Sequence, residues 1–298
     1  MKLATISVGG RPTPAVALGS GRFVDLSREG GLPSTLLGLV RGWDAHRGAV
    51  ERLVAAGTAE IGPEGVRVLA PIPRPERNIM CVGKNYYDHA HEFHGSGFDS
   101  SGGAQAVPEV PVIFTKAPSA VIGPGEPIPA WRDPTGTLDY EVELAVVIGR
   151  GGSGISKADA YGHVFGYTIL NDATARALQR KHQQWFLGKS IDGFCPMGPA
   201  IVTADEIPDV AAMRVSTRVN GELRQDARVA DLIFDIPTLI ETISALVTLE
   251  PGDIIATGTP AGVGLGFDPP KYLKPGDVVT LEITGLGTLE NPVGGRPA

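Results

Sequence analysis

Asp139-Tyr140-Glu141-Val142-Glu143-Leu144 sets three carboxylates two residues apart, and no other segment of this 298-residue chain says more about its chemistry. Side chains of an extended strand alternate between faces, so Asp139, Glu141 and Glu143 share one face and Tyr140, Val142 and Leu144 the other. Like charges in a row repel unless water or a cation relieves them. A solvated outer face would do so. A divalent cation would do so too, because the strand runs on into Ala145-Val146-Val147-Ile148, an apolar run typical of a buried strand. Two carboxylates leaning the same way at the lip of such a strand suit a hard cation. A second apolar run, Val164–Leu170, ends in Asn171-Asp172. Asp172 is placed to cap a helix over residues 173–179 or to serve as a third oxygen ligand, and the two roles are compatible.

His89-Ala90-His91-Glu92-Phe93-His94 gathers three histidines and an acid. It is not the His-Glu-x-x-His of a zincin, being one residue short. His89 and Glu92, three residues apart, meet on one helical turn, and an imidazole oriented by a carboxylate activates water. His91 and His94 read as polar residues of a solvated turn. Lys189, among apolar neighbours, is either a snorkelling lysine or a placed cation. Thr257-Gly258-Thr259-Pro260-Ala261-Gly262-Val263-Gly264 has the glycines of a ligand loop without a P-loop lysine, and its amides and a hydroxyl suit a carboxylate. Gly149-Arg150-Gly151-Gly152-Ser153-Gly154 matches G-x-G-x-x-G after a strand, with Asp172 at the spacing of a ribose ligand. A dinucleotide-binding first strand should not carry three acids on one face, and the following helix is short. A surface turn is expected there, with a dinucleotide-dependent oxidoreductase as the distant alternative.

The elements that must position these groups are mostly strands. Leu3–Val8, Ala15–Leu18 and Arg22–Leu26 read as strands between glycine and proline turns, followed by a helical stretch with Ser34 or Asp44 as N-cap and Gly57 as stop. Alternate prolines in Ala70-Pro71-Ile72-Pro73-Arg74-Pro75 stiffen the chain. They divide a small N-terminal α/β domain, 1–72, from a catalytic domain, 73–298. Asn78–Val82 opens the latter as a strand. The Gly/Ser-rich stretch from His94 to Val110 is a disordered segment or a lid. Val215–Val219 and Glu222–Asp226 flank Asn220-Gly221, a type I′ hairpin signal. Asp235 caps a helix carrying Ile236, Leu239, Ile240, Ile243, Leu246 and Val247 at helical spacing.

Composition narrows the class. Net charge is −7 without a basic run, unlike a nucleic-acid binder, and no apolar stretch approaches the roughly 20 residues of a membrane span. Forty glycines and 25 prolines point to turns and short strands. Cys81 and Cys195 form no CxxC and read as two buried or partly buried thiols in a reducing cytosol. The N-terminal apolar run is too short for a signal peptide, so a soluble, cytoplasmic protein is expected.

Together these pieces resemble the fumarylacetoacetate hydrolase family. The carrying phrases are Gly83-Lys84-Asn85-Tyr86-Tyr87-Asp88-His89-Ala90-His91-Glu92, Asp139-Tyr140-Glu141-Val142-Glu143 and Asn171-Asp172-Ala173-Thr174-Ala175-Arg176. Lys189-Ser190 and Thr257-Gly258-Thr259-Pro260 complete a set that keeps its order over about residues 78–292. The resemblance implies an α+β, mostly β fold: a mixed β-roll catalytic domain with a small N-terminal domain, and a homodimer. It implies Mg²⁺ or Mn²⁺, with Ca²⁺ able to take its place, on Glu141, Glu143 and Asp172. His89 and Glu92 become the water-activating dyad on a lid, Lys189 the support for developing charge, and Gln179, Gly258 and Thr259 substrate contacts. The fourth acidic ligand of fumarylacetoacetases proper has no counterpart beyond Asn85 and Asp88, which points to the acylpyruvase and 2-oxo-acid decarboxylase branch.

The reaction expected is hydrolysis of the carbon–carbon bond of an acylpyruvate-like 2,4-dioxo acid through an enolate. An oxaloacetate-like decarboxylase is the runner-up, since it passes through the same enolate, and a dehydratase or isomerase suits the same site. A non-catalytic ligand-binding β-protein is the alternative from another class.

Overall fold

The computed structural model describes residues 1–99 and 105–297. Part of the Gly/Ser-rich stretch, 100–104, therefore lies outside the described residues. Strands dominate, as the turn-rich composition requires. A 12-stranded sheet runs in the order 60–61, 22–25, 11–19, 2–8, 195–203, 164–171, 142–148, 254–256, 79–83 and 112–116, with 66–69 beside 2–8 and 121–122 beside 195–203. Hydrogen bonding crosses from the N-terminal hairpins into the rest of the sheet through Lys2↔Val202 and Leu3↔Ile201. A five-stranded sheet, 222–228, 214–219, 278–283, 287–294 and 128–129, packs against it.

The strand Val142–Ile148 explains its own sequence. Val142, Leu144, Val146 and Ile148 join a core with Val215, Leu281 and the helix residues Leu239 and Ile243. Ala145 and Val147 face a second core with Leu36, Leu39 and Val50. A strand buried on both faces loses polar alternation, hence the unbroken apolar run. Each large apolar side chain buried this way contributes about 1.5–3 kcal/mol, which offsets the cost of the acids at the strand's start.

Local signals worked where backbone geometry is strict. Asn220 and Gly221 take φ of 51° and 83° and close the hairpin Arg214–Val219/Glu222–Arg228. Asp235 caps the helix Ile236–Ser244 by accepting from the Thr238 N–H at 2.9 Å, and Gly57 ends Trp43–Ala56 in the left-handed region. The N-cap expected at Ser34 or Asp44 is instead Thr35, whose hydroxyl accepts from Gly38, while Asp44 lies inside the first turn of the next helix. Asp172 caps no helix either. The helix begins later, at Arg176, because residues 174–175 pair with 138–139 as strands.

Candidate active site

The three acids of the first strand are buried: Asp139 is 0%, Glu141 3% and Glu143 1% exposed. That rules out the solvated outer face. The turn after Val164–Asn171 brings Asp172 to the same place, where Glu141, Glu143 and Asp172 each offer an oxygen within 4.8 Å of the others. The mainchain fixes this register, since the Asp172 N–H donates to the Glu141 carbonyl at 2.9 Å and the Asn171 side chain accepts from the Glu141 N–H at 3.0 Å.

Three cations pack against the cluster. Lys189, at the end of the helical turn Phe186–Lys189, donates to Glu141 Oε2 and Asp172 Oδ2, each at 2.7 Å. Lys116 reaches Asp172 Oδ1 at 2.7 Å and the Ala173 carbonyl at 3.0 Å, and also donates to the Lys189 carbonyl. Arg176 spans Glu141 Oε1 at 2.6 Å and Asp139 Oδ2 at 2.8 Å, while its third nitrogen, Nη2, is buried without a hydrogen-bond partner. Lys189 is thus a placed cation, held charged because the attraction of Asp172 and Glu141 overcomes burial. Burial would raise the Glu141 carboxyl, but Lys189 and Arg176 pull it down to about 2.

Glu143 differs. It accepts from the Gly258 N–H at 2.8 Å, and among the described residues no cation pairs with it. Burial, then the charges of Asp172 and Glu141, push its carboxyl well above the usual range. Once all four buried carboxyls are ionised, Asp139 included, the three cations leave one negative charge in excess. An all-oxygen donor set short of positive charge fits a hard divalent cation such as Mg²⁺, Mn²⁺ or Ca²⁺.

The helix Tyr87–Gly95 closes the site. His89, 5% exposed, places Nδ1 3.0 Å from Glu92 Oε2, so its Nε2 is the nitrogen left to act as a base. The other Glu92 oxygen accepts from the Gly262 N–H at 3.0 Å. Phe93 packs edge-on against Trp185, which also meets Phe114, and Gly83 gives the Trp185 ring room that a Cβ would fill. The socket that receives Glu92 is tied to the acidic strand: Tyr140 donates to the Gly262 carbonyl at 3.0 Å, and Asp139 accepts from the Gly264 and Leu265 amides at 2.7 and 3.0 Å.

A small cavity lies between helix and cluster, lined by His89, Glu141, Glu143, Arg176, Gln179, Lys189 and Thr259 among others. The structure thus gathers nearly every residue singled out in the sequence. Gly258 is the exception in kind, because its amide is committed to Glu143 and it does not line the cavity. His91 is exposed, and His94, 41% exposed, lies 3.4 Å from Asp99. Asn85 is no ligand: its side chain bonds the Phe234 N–H and the Phe234 and Thr257 carbonyls, stapling two loops. Asp88 is exposed. Four amides of the glycine motif are committed within the protein, since Gly149, Arg150, Gly152 and Gly154 all donate to protein carbonyls.

Sequence reasoning missed Arg176 and Lys116 as members of the site. Arg176 stands four residues after Asp172, and a signal for it existed in that adjacency. Lys116 offered none, being brought in by sheet pairing of Val112–Lys116 with Ile79–Gly83.

Comparison with known proteins agrees with this geometry. Residues 78–294 match the family described as Fumarylacetoacetate (FAA) hydrolase C-terminal. The chain is 55% identical over 229 residues to oxaloacetate tautomerase YisK of Bacillus subtilis (strain 168), covering 77% of this chain and 73% of that protein. Among solved structures, fumarylacetoacetate hydrolase from Exiguobacterium antarcticum is 43% identical with a TM-score of 0.84, over 99% of this chain and 100% of that one. Maleylpyruvate hydrolase from Sphingobium sp. SYK-6, in complex with manganese(II) and pyruvate, is 32% identical with a TM-score of 0.81, over 100% of both chains. The order of the motifs, the buried acidic cluster and the shared fold lead to one conclusion: the chain belongs to the fumarylacetoacetate hydrolase family.

Proposed function

We propose that this protein is a divalent-metal-dependent enzyme that enolises a small 2-oxo acid, with keto–enol interconversion of oxaloacetate as its reaction. The observation that carries the reading is the His89–Glu92 pair closed over a three-carboxylate cluster that Lys189 and Arg176 flank. The kinship with an oxaloacetate tautomerase supports the choice among reactions.

Glu141, Glu143 and Asp172 would hold the metal. When bound, it supplies Lewis-acid polarisation of the 2-oxo carboxylate. The residues then divide the work. Arg176 Nη2, buried without a partner, is free to donate to the substrate's carboxylate. Lys189 stays an ammonium and donates to the oxygen that gains charge on enolisation. Glu92 holds His89 as the tautomer with a basic Nε2, which takes the proton from C3. The C3–H electron pair becomes the C2=C3 double bond, and O2 gains its proton from solvent on release. Gln179, bonded to Arg176 at 3.3 Å, and Thr259, bonded to Gln225 at 2.8 Å, shape the wall.

Hydrolysis of acylpyruvates is the second reading. The same dyad would draw its proton from water, and the relative that carries pyruvate in its structure is a maleylpyruvate hydrolase. Parallel assays with Mg²⁺ and Mn²⁺ separate them: ultraviolet decay of enol-oxaloacetate against loss of a 2,4-dioxo acid. Faster tautomerisation is expected. Cleavage of the dioxo acid with no effect on the enol would give the assignment to the hydrolase.

A further inference from the structure

Lys84 lines the same cavity as Glu141, Glu143 and His89, and the mechanism above gives it no part. Its side chain is 3% exposed, with the ammonium 2.8 Å from Asp99 Oδ2. Its backbone holds φ of 57°, a left-handed conformation that disfavours any residue with a Cβ. Strain of this kind gathers where a side chain is needed at one spot. Here it turns the chain from the strand Ile79–Gly83 toward the closing helix while keeping a lysine where glycine or asparagine would be relaxed. Asp99 has a second partner near solvent, His94 Nδ1 at 3.4 Å.

We propose that Lys84 binds a second carboxylate at the far end of the substrate, and that Asp99 stands in for that carboxylate in the free enzyme. A substrate dicarboxylate displaces Asp99 toward His94 and takes its place at Lys84, so one carboxylate replaces another beside a buried ammonium. A 2-oxo acid without the distal carboxylate cannot make the exchange and leaves Asp99 in place. The site therefore selects 2-oxo dicarboxylates over monocarboxylates. This rests on the preceding reading, in which the acidic cluster, Arg176 and Lys189 take the 2-oxo carboxylate end.

The test uses the Mn²⁺-loaded enzyme with three probes: oxaloacetate, its 4-ethyl monoester, and oxalate, which offers the chelating end alone. Lys84→Met should raise KM for oxaloacetate roughly 10- to 100-fold, the worth of a hydrogen bond to a charged group. Oxalate affinity by calorimetry and the KM of the monoester should not change. Lys84→Arg should restore most of the oxaloacetate KM, and Asp99→Asn should lower it below the wild-type value. Equal losses for oxaloacetate and the monoester would overturn the assignment to Lys84, as would a higher oxaloacetate KM in Asp99→Asn, while the preceding reading would stand. Failure of oxalate to bind the loaded wild type would take down the preceding reading and this one with it.

Discussion

The Glu92 carboxylate occupies the space that a side chain at Gly266 would need: a Cβ built there overlaps Glu92 Oε1 and Cδ. Glu92 is also the residue that holds His89 at 3.0 Å. Glu92 therefore keeps this position only while residue 266 has no side chain.

Gly266→Ala should keep Glu92 out of its socket. We expect kcat/KM for oxaloacetate to fall about 10²-fold, the scale of a misplaced catalytic group, with Mn²⁺ affinity unchanged. Parallel kinetics and metal calorimetry check this. Wild-type turnover in the variant would show that docking of Glu92 is not needed.

The two glutamates of the strand should behave in opposite ways. Glu141 joins Arg176 and Lys189, so Glu141→Gln takes one carboxylate from each of two buried cations, leaving Arg176 with Asp139 and Lys189 with Asp172. It should cost about 3 kcal/mol of stability as well as metal affinity. Glu143 has a raised pKa, so its favourable contribution is present below the unfolded value and is lost as pH rises toward the folded one. Glu143→Gln mimics the protonated acid. The metal-free variant should match wild type at acidic pH and exceed it at pH 8, yet gain no thermal stabilisation from Mn²⁺. Denaturant titrations at pH 5 and 8, with and without metal, decide the point.

Both thiols should be silent in the native state. Cys81 and Cys195 are buried, and burial pushes the Cys195 thiol up to about 12 and raises Cys81 as well. The thiolate is the reactive form and grows only as pH approaches the pKa. An aromatic disulfide reagent at pH 8 should therefore find no reactive thiol in the folded protein and two in denaturant. A rapid native reaction would contradict the burial.

Much of this was legible in the sequence because the signals were local. Alternation placed Glu141 and Glu143 on one face, i,i+3 spacing paired His89 with Glu92, and Asn220-Gly221 closed its hairpin. What sheet pairing and buried charge decide was not legible. The sequence leaves Asp172 as a cap, a third oxygen ligand or both; the pairing of residues 174–175 with 138–139 delays the helix, and the carboxylate joins Glu141 and Glu143 beside Lys116 and Lys189. Gly258 was read as a substrate contact from its loop, whereas its amide meets Glu143 from another strand. Lys116 becomes visible only once the buried carboxylates need neutralising, whereas Arg176 stands four residues after Asp172.

The most direct measurement of the central claim is deuterium exchange at C3 of oxaloacetate, followed by proton NMR in D₂O with Mg²⁺ or Mn²⁺. The loaded wild type should wash deuterium into C3 faster than the solution rate, and removal of the metal should abolish the acceleration. His89→Ala should lose about 10²–10⁴-fold of that exchange while binding Mn²⁺ as before. Exchange that survives in His89→Ala, or its absence in a wild type that binds the metal, would contradict the account.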